Sequence, residues 1–325
     1  MHAIVADNSS NKLTWQSVPD VAPAAGEVLI QVSAAGVNRA DLLQAAGKYP
    51  PPPGASQIIG LEVSGIVAEV GDGVTEWSTG QPVCALLAGG GYAEFVAVPA
   101  GQVMPVPQGV PLPYAAGLPE VACTVWSNVV MTAGLAAPEL LLVHGGASGI
   151  GTHAIQVAKA LNCRVAVTAG SPNKLDLCAE LGADITVNYH DDDFVDVVRD
   201  AGGADVILDI IGAKYLDRNI DALAPGGRLV IIGMQGGAKA ELNIGKLLAK
   251  RGSVIATALR SRPVDGPGGK TEIVAEVITH VWPMIADGQV RPVIGAQFPI
   301  TEAQAAHELL ESGDVSGKVI LRVDV

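Results

Sequence analysis

The sequence predicts an α/β protein in two lobes, one an antiparallel, barrel-like sheet and the other a doubly wound parallel sheet. Three observations predict this. The chain has 325 residues, more than one hydrophobic core usually serves. Up to about Val121 it reads as short apolar runs broken by Gly and Pro, the pattern of antiparallel strands and turns. After a change of character between Pro119 and Gly134, short buried strands alternate with helical segments, the rhythm of a parallel sheet.

In the first lobe, strands are predicted over residues 27–32, 65–70, 81–86 and 92–98, separated by turns such as Gly71-Asp72-Gly73 and Gly89-Gly90-Gly91. The four prolines from Pro50 to Pro53 make a stiff, extended loop. In the second lobe, strands are predicted over 140–144, 164–169, 185–187, 206–210, 228–232 and 253–259, with helices over 151–161 and 172–181. A Gly/Pro-rich linker over 263–269 leads to a helix over 271–286, and the chain ends with a helix over 301–311 and a strand over 318–323.

Composition narrows the function classes. Aromatics are only 4% of a chain that is 49% hydrophobic, so the cores must be aliphatic. A net charge of −13 argues against nucleic acid or an anionic membrane as the main partner. The four cysteines, Cys84, Cys123, Cys163 and Cys178, form no C-x-x-C pair, which fits reduced, buried thiols. No stretch reads as a signal peptide or membrane span, so a cytoplasmic, soluble protein is expected.

The central motif runs Leu141-Leu142-Val143-His144-Gly145-Gly146-Ala147-Ser148-Gly149-Ile150-Gly151. An apolar strand feeds a glycine-rich turn that opens a helix. Glycine permits the turn and a close backbone approach, and a helix N-terminus offers unpaired amides and a positive dipole end to a diphosphate. Gly146, Ser148, Gly149, Ile150 and Gly151 are therefore candidate dinucleotide contacts. His144 is expected to be packed or hydrogen-bonded rather than metal-bound. The next strand ends in Ala169-Gly170-Ser171-Pro172-Asn173-Lys174, with no carboxylate before Asp176. A carboxylate there would bind a ribose 2′-hydroxyl and repel a 2′-phosphate. Gly170, Ser171 and Lys174 thus point to NADPH over NADH, the alternative being a Ser171 helix cap and a solvated lysine. Two further apolar strands end in glycine, at Gly212 and at Gly233-Met234, leaving room for a nicotinamide ring. Asp209 is expected to be a structural hydrogen bonder.

Several stretches carry a resemblance: Gly36-Val37-Asn38-Arg39-Ala40-Asp41, Gly47-Lys48-Tyr49-Pro50-Pro51-Pro52-Pro53-Gly54, Gly60-Leu61-Glu62-Val63-Ser64-Gly65, Asn188-Tyr189, Leu259-Arg260-Ser261-Arg262 and Gly317-Lys318-Val319-Ile320. On these the chain resembles the zinc-free quinone oxidoreductase branch of the medium-chain dehydrogenase/reductase superfamily. It is most similar to the tumour-suppressor-inducible group, which is related to zeta-crystallin. The resemblance implies a GroES-like catalytic domain over 1–121 and 261–325 and a Rossmann NADPH-binding domain over 122–260. It implies NADPH-dependent reduction of a quinone-like acceptor by a homodimer. Asn38 and Tyr49 would line the acceptor pocket, or serve loop structure only. Tyr189 would lie against the adenosine end, or pack on an edge strand. Leu259 would contact the cofactor, and Lys318 would either touch its phosphate or be a plain surface lysine.

Zinc-dependent members of the superfamily carry Cys where this chain has Asn38, and Gly-His-Glu where it has Gly60-Leu61-Glu62. The six histidines show no paired ligand spacing, so no metal is expected. Pro119-Glu120-Val121-Ala122-Cys123 stands where relatives carry bulkier residues, which bears on the acceptor pocket. Two other activities fit the same scaffold: reduction of an activated C=C bond in enones or enoyl thioesters, and cofactor binding with little turnover.

Overall fold

A computed structural model describes residues 1–7 and 12–323. The chain opens with β1 (His2–Asp7), β2 (Lys12–Ser17), β3 (Glu27–Val37), β4 (Glu62–Val70), β5 (Pro82–Leu86), β6 (Phe95–Pro99) and β7 (Val103–Pro105). It continues with β8 (Leu140–His144), β9 (Arg164–Ala169), β10 (Ile185–Asn188), β11 (Ala204–Asp209), β12 (Leu223–Ile231) and β13 (Ser253–Ala256). It closes with β14 (Ile294–Pro299) and β15 (Lys318–Arg322). Two compact units result. The first holds Met1–Cys123, Leu259–Asp287 and Pro292–Val325, and the second Thr124–Ala258 with Gly288–Arg291. The short return of Gly288–Arg291 to the second unit differs from the continuous C-terminal span expected from sequence.

The first unit is built on a seven-stranded sheet in the order β14-β15-β3-β4-β5-β7, with β6 also on β3. Strand β3 serves two partners along one edge: Glu27 to Gln31 pair with β6, and Ala34 to Val37 pair with β15. The change of partner coincides with a register shift against β4 between Val32 and Ala34, and such a bulge bends and twists a strand. This curls the sheet around a core of Val28, Ile30, Val32, Val63, Val67, Val83 and Val96. Every neighbour on the sheet is antiparallel except the β14–β15 pair. The predicted strand over 92–98 begins only at Phe95. Tyr92 instead bonds through its amide to the carbonyl of Ile59, and its side chain is wholly buried.

The second unit is a six-stranded, all-parallel sheet in the order β10-β9-β8-β11-β12-β13. Counted from its first strand this is 3-2-1-4-5-6, the doubly wound order of dinucleotide-binding sheets. Strand β8 is buried at every residue, as a parallel strand covered on both faces must be. The predicted strand over 253–259 ends at Ala256 because its partner β12 ends at Ile231, the residue that pairs with Ala256. All four cysteines are free and buried, as expected. Among the described residues, no helix is long and apolar enough to cross a membrane.

Candidate functional site

In the second unit the chain order reverses at β8, between β9 and β11, and a crevice forms at the carboxyl end of such a switch point. The glycine turn lies there. Ser148 is the N-cap of helix Gly149–Ala160, and its hydroxyl accepts the amide of Gly151 at 3.0 Å. A helix has no internal acceptor for its first amides, so those of Gly149 and Ile150 remain for an outside acceptor. Both residues are half-buried and reachable. These two amides at the positive end of a three-turn helix fit a diphosphate.

Gly146 and Gly151 have a different role from the one expected. A Cβ on Gly146 would lie 2.7 Å from Cβ of Val167 and 2.9 Å from Sγ of Cys178. One on Gly151 would lie 2.4 Å from the carbonyl of Gly145. Both residues are buried, so packing of the turn requires them, and they shape the cradle rather than face a ligand. His144 is packed, as expected. Its ring sits between Phe194 and Tyr215 and bonds to Thr168 at 3.1 Å and to the side-chain oxygen of Asn219 at 2.7 Å. Burial holds its pKa down at about 4.

At the end of β9, Gly170 lies under Tyr189: a Cβ would sit 2.3 Å from the tyrosine hydroxyl. Tyr189 is 46% exposed, so part of its ring packs over Gly170 at the sheet edge and the rest faces outward. Ser171 occupies the N-cap position of helix Pro172–Glu180, but its side chain makes no capping bond. Lys174 falls in the first turn of that helix, where the dipole disfavours a cation and a bound anion would offset it. The structure thus gathers Gly170, Ser171, Lys174 and Tyr189 at one corner. The loops after β11 and β12 also meet. A Cβ on Gly212 would approach the carbonyls of Gly237 and Gly233 at 2.9 and 3.0 Å, and Met234 is 65% exposed beside them. Asp209 folds its own loop, accepting the amides of Ile211 at 2.6 Å and Gly212 at 3.1 Å. Leu259 belongs to the first unit, and is buried.

In the first unit, Asn38 precedes helix Arg39–Ala45 and enters a buried network. Its Oδ1 accepts from Nζ of Lys318 at 2.7 Å, and its Nδ2 donates to Oε1 of Glu62 at 2.9 Å. Lys318 also pairs with Glu62 at 2.6 Å and donates to the carbonyl of Val37 at 3.1 Å. An ammonium has three protons, and all three are committed. Lys318 is therefore neither a phosphate ligand nor a surface lysine, and both expectations are corrected. Burying Glu62 depends on Gly36, since a Cβ there would lie 2.2 Å from Oε1 of Glu62.

The network extends to both sides. Asp41 Oδ2 accepts the amide of Asn38 at 2.7 Å and the hydroxyl of Tyr92 at 3.2 Å, while Oδ1 has no partner. The tyrosine oxygen meets Nε2 of His307 at 3.1 Å; with its proton on Asp41, the imidazole must be the donor. Burial pushes Asp41 up to about 7 and Glu120 up to about 8, and holds His307 down at about 4. Glu120 gives its amide to Glu62 Oε2 at 2.9 Å. Tyr49 is half-buried under the guanidinium of Arg260, 5.2 Å above its ring, and Arg260 bonds to Gln44 at 2.6 Å and to the carbonyl of Ala88 at 2.8 Å.

Sequence reasoning passed over Asp41, Glu62, Tyr92, Glu120, Arg260 and His307 as site residues. Each is polar, and none shows periodic or ligand spacing, because the fold brings them together from a strand, three helices and two loops spread along the chain. Asp41, Glu62, Glu120 and Arg260 do stand in the quoted stretches, and that is the available signal. Among the described residues, no group of three or more His, Cys, Asp and Glu side chains could hold a metal ion.

Comparison with known proteins agrees with this architecture. The alcohol dehydrogenase GroES-like domain model matches residues 24–108, and the zinc-binding dehydrogenase model matches residues 149–270. The quinone oxidoreductase of Rattus norvegicus is 32% identical over 92% of this chain and 90% of its own. The Escherichia coli quinone oxidoreductase solved with NADPH superposes with a TM-score of 0.87 at 26% identity, covering 99% of each chain. The CurK enoyl reductase gives 0.85 at 25% identity, again over 99% of each chain. With the parallel sheet, its glycine turn and the curled antiparallel unit all matched along nearly the whole length, the chain belongs to the quinone oxidoreductase branch of the medium-chain dehydrogenase/reductase superfamily.

Proposed function

We propose that the protein is an NADPH-dependent quinone oxidoreductase that passes hydride directly to its acceptor without a metal ion. The observation that carries this is Asn38. Where zinc-dependent members would place a cysteine ligand, a neutral carboxamide is bonded to a lysine ammonium and a glutamate. A cation is already built into that position. The E. coli relative's NADPH supports the choice of cofactor. The amides of Gly149 and Ile150 would hold its diphosphate, Ser171 and Lys174 the 2′-phosphate, and Tyr189 the adenosine. Gly212, Gly233 and Met234 would border the nicotinamide. NADPH supplies the hydride, and what remains for the protein is orientation and exclusion of water. Asn38 and Tyr49 are the proposed acceptor contacts, one a hydrogen-bonding amide and the other a stacking face.

The likeness to an enoyl reductase favours a second reading, reduction of an activated C=C bond. Steady-state NADPH oxidation with a panel of quinones and enones, with and without a chelator, separates the two. Saturable quinone reduction that survives chelation is expected. Preference for enones would replace the quinone reading, and activity restored only by zinc would overturn the metal-free one. Lys174→Ala should weaken NADPH about tenfold or more while sparing NADH, as loss of a charge-assisted bond to phosphate requires. Equal losses for the two cofactors would remove the phosphate assignment.

The homodimer and the cytoplasmic location belong to the same proposal. Strand β13 ends its sheet, and the neighbouring helix Ile244–Lys250 buries no residue, with Ile244 70% and Leu248 74% exposed. A bare strand edge beside exposed aliphatic side chains is a pairing surface. Light scattering should give twice the chain mass.

A further inference from the structure

We propose that Lys318 and Glu62 are positioning residues that lock the Asn38 carboxamide, so that its second Nδ2–H is presented as a donor to the oxygen of the acceptor. This rests on the oxidoreductase reading above and names how the acceptor is recognised: by a carbonyl oxygen that gains negative charge.

The lock has one chemical solution. Nζ of Lys318 stands 2.7 Å from Oδ1 of Asn38, and Oε1 of Glu62 stands 2.9 Å from Nδ2. Turning the amide over would set its NH2 against an ammonium and its carbonyl against a carboxylate. Both charges are buried, Lys318 at 5% exposure and Glu62 at 0%, so little water screens the penalty. The helix start adds a restraint on the main chain, because the backbone N–H of Asn38 donates to Oδ2 of Asp41 at 2.7 Å. One amide hydrogen of Asn38 stays uncommitted, and the residue is half-buried rather than closed off.

That hydrogen is useful only if it is fixed before the reaction. An acceptor that took up the hydride NADPH would supply would be left with the displaced electron pair on one oxygen, as an oxyanion that water would protonate. A donor already aimed at that oxygen stabilises the charge without reorganising. The ammonium on Oδ1 also polarises the amide, which strengthens the remaining N–H as a donor.

A double-mutant cycle tests this. Removing Lys318 alone would leave Glu62 as an uncompensated buried charge, so the lock is removed as the neutral pair Lys318→Met with Glu62→Gln. The pair is made in the native chain and in Asn38→Ala, and kcat/KM is measured with a para-quinone. The dissociation constant for NADPH is measured alongside by fluorescence. We expect the pair to lose about tenfold in kcat/KM when Asn38 is present and less than twofold in the Asn38→Ala chain, with NADPH affinity unchanged. Lys318→Arg, which keeps the charge and the donors, should recover most of the loss. Additive losses in the two backgrounds, or an undiminished Asn38→Ala enzyme, would overturn the positioning role. A native enzyme that turns over no quinone and no enone would instead overturn the reading beneath it.

Discussion

The two units build their sites from opposite materials. The glycine turn of the second unit is made of backbone, and its tight residues are tight because other backbone and apolar atoms leave no room. The Asn38 cluster of the first unit is made of side chains, with two charged ends buried and saturated. The first kind of site breaks when atoms are added, and the second when atoms are taken away. Gly151→Val is the sharpest way to break the backbone site. The new Cβ would meet the Gly145 carbonyl at 2.4 Å, and backbone cannot swing aside as a long side chain can. A loss beyond about 4 kcal/mol is expected, the range of severe overpacking and strain. A soluble variant with native NADPH affinity would contradict the packing argument.

The side-chain site should show the reverse behaviour. Lys318→Met removes volume and charge from one half of a buried pair, and about 3–5 kcal/mol is expected to be lost because Glu62 is left unpaired. Adding Glu62→Gln to that variant should restore much of it, since replacing both partners avoids the orphaned charge. Denaturant midpoints of the single and paired variants measure this directly. If the pair is no more stable than the single variant, the ammonium is not compensating the carboxylate.

The same contrast explains how much could be read in advance. The second unit was legible because its information is local: an apolar strand, a glycine turn and a helix follow one another in the chain, and β8 and β9 have the bounds expected from sequence. The motif also showed where glycine is needed, though not that Gly146 and Gly151 answer to packing rather than to a ligand. In the first unit, Asn38, Glu62 and Lys318 lie far apart in sequence and meet only because β15 and β4 flank β3. No periodicity encodes that meeting. Lys318 therefore read as a surface residue or a phosphate contact, and His307 and Tyr92 did not read as site residues at all.

Titration offers the finest distinction between the units. Burial pushes Asp41 to about 7, Glu120 to about 8 and Asp209 to about 6, and holds His144, His153 and His307 at about 4. Unfolded carboxyls ionise near 4 and imidazoles near 6.5. Between those values the folded chain binds extra protons at the three carboxyls and lacks protons at the three imidazoles, so the two sets oppose each other. From pH 6.5 to about 7.5 the unfolded imidazoles lose their last protons and offset part of the carboxyl effect, and above that they are neutral in both states and drop out. Asp41 and Glu120 still hold protons that the unfolded chain has released, so stability falls as pH rises through 7 and 8. At about 1.4 kcal/mol per unit of pKa difference, a loss of about 1–3 kcal/mol is expected between pH 6.5 and 8.5. Both carboxyls belong to the first unit, so the alkaline loss falls on the side-chain site and spares the glycine turn. Asp41→Asn should flatten the lower part of the profile and Glu120→Gln the upper part. Denaturant midpoints that hold steady or rise across this range would mean the cluster keeps its carboxylates ionised, compensated by Lys318 and Arg260.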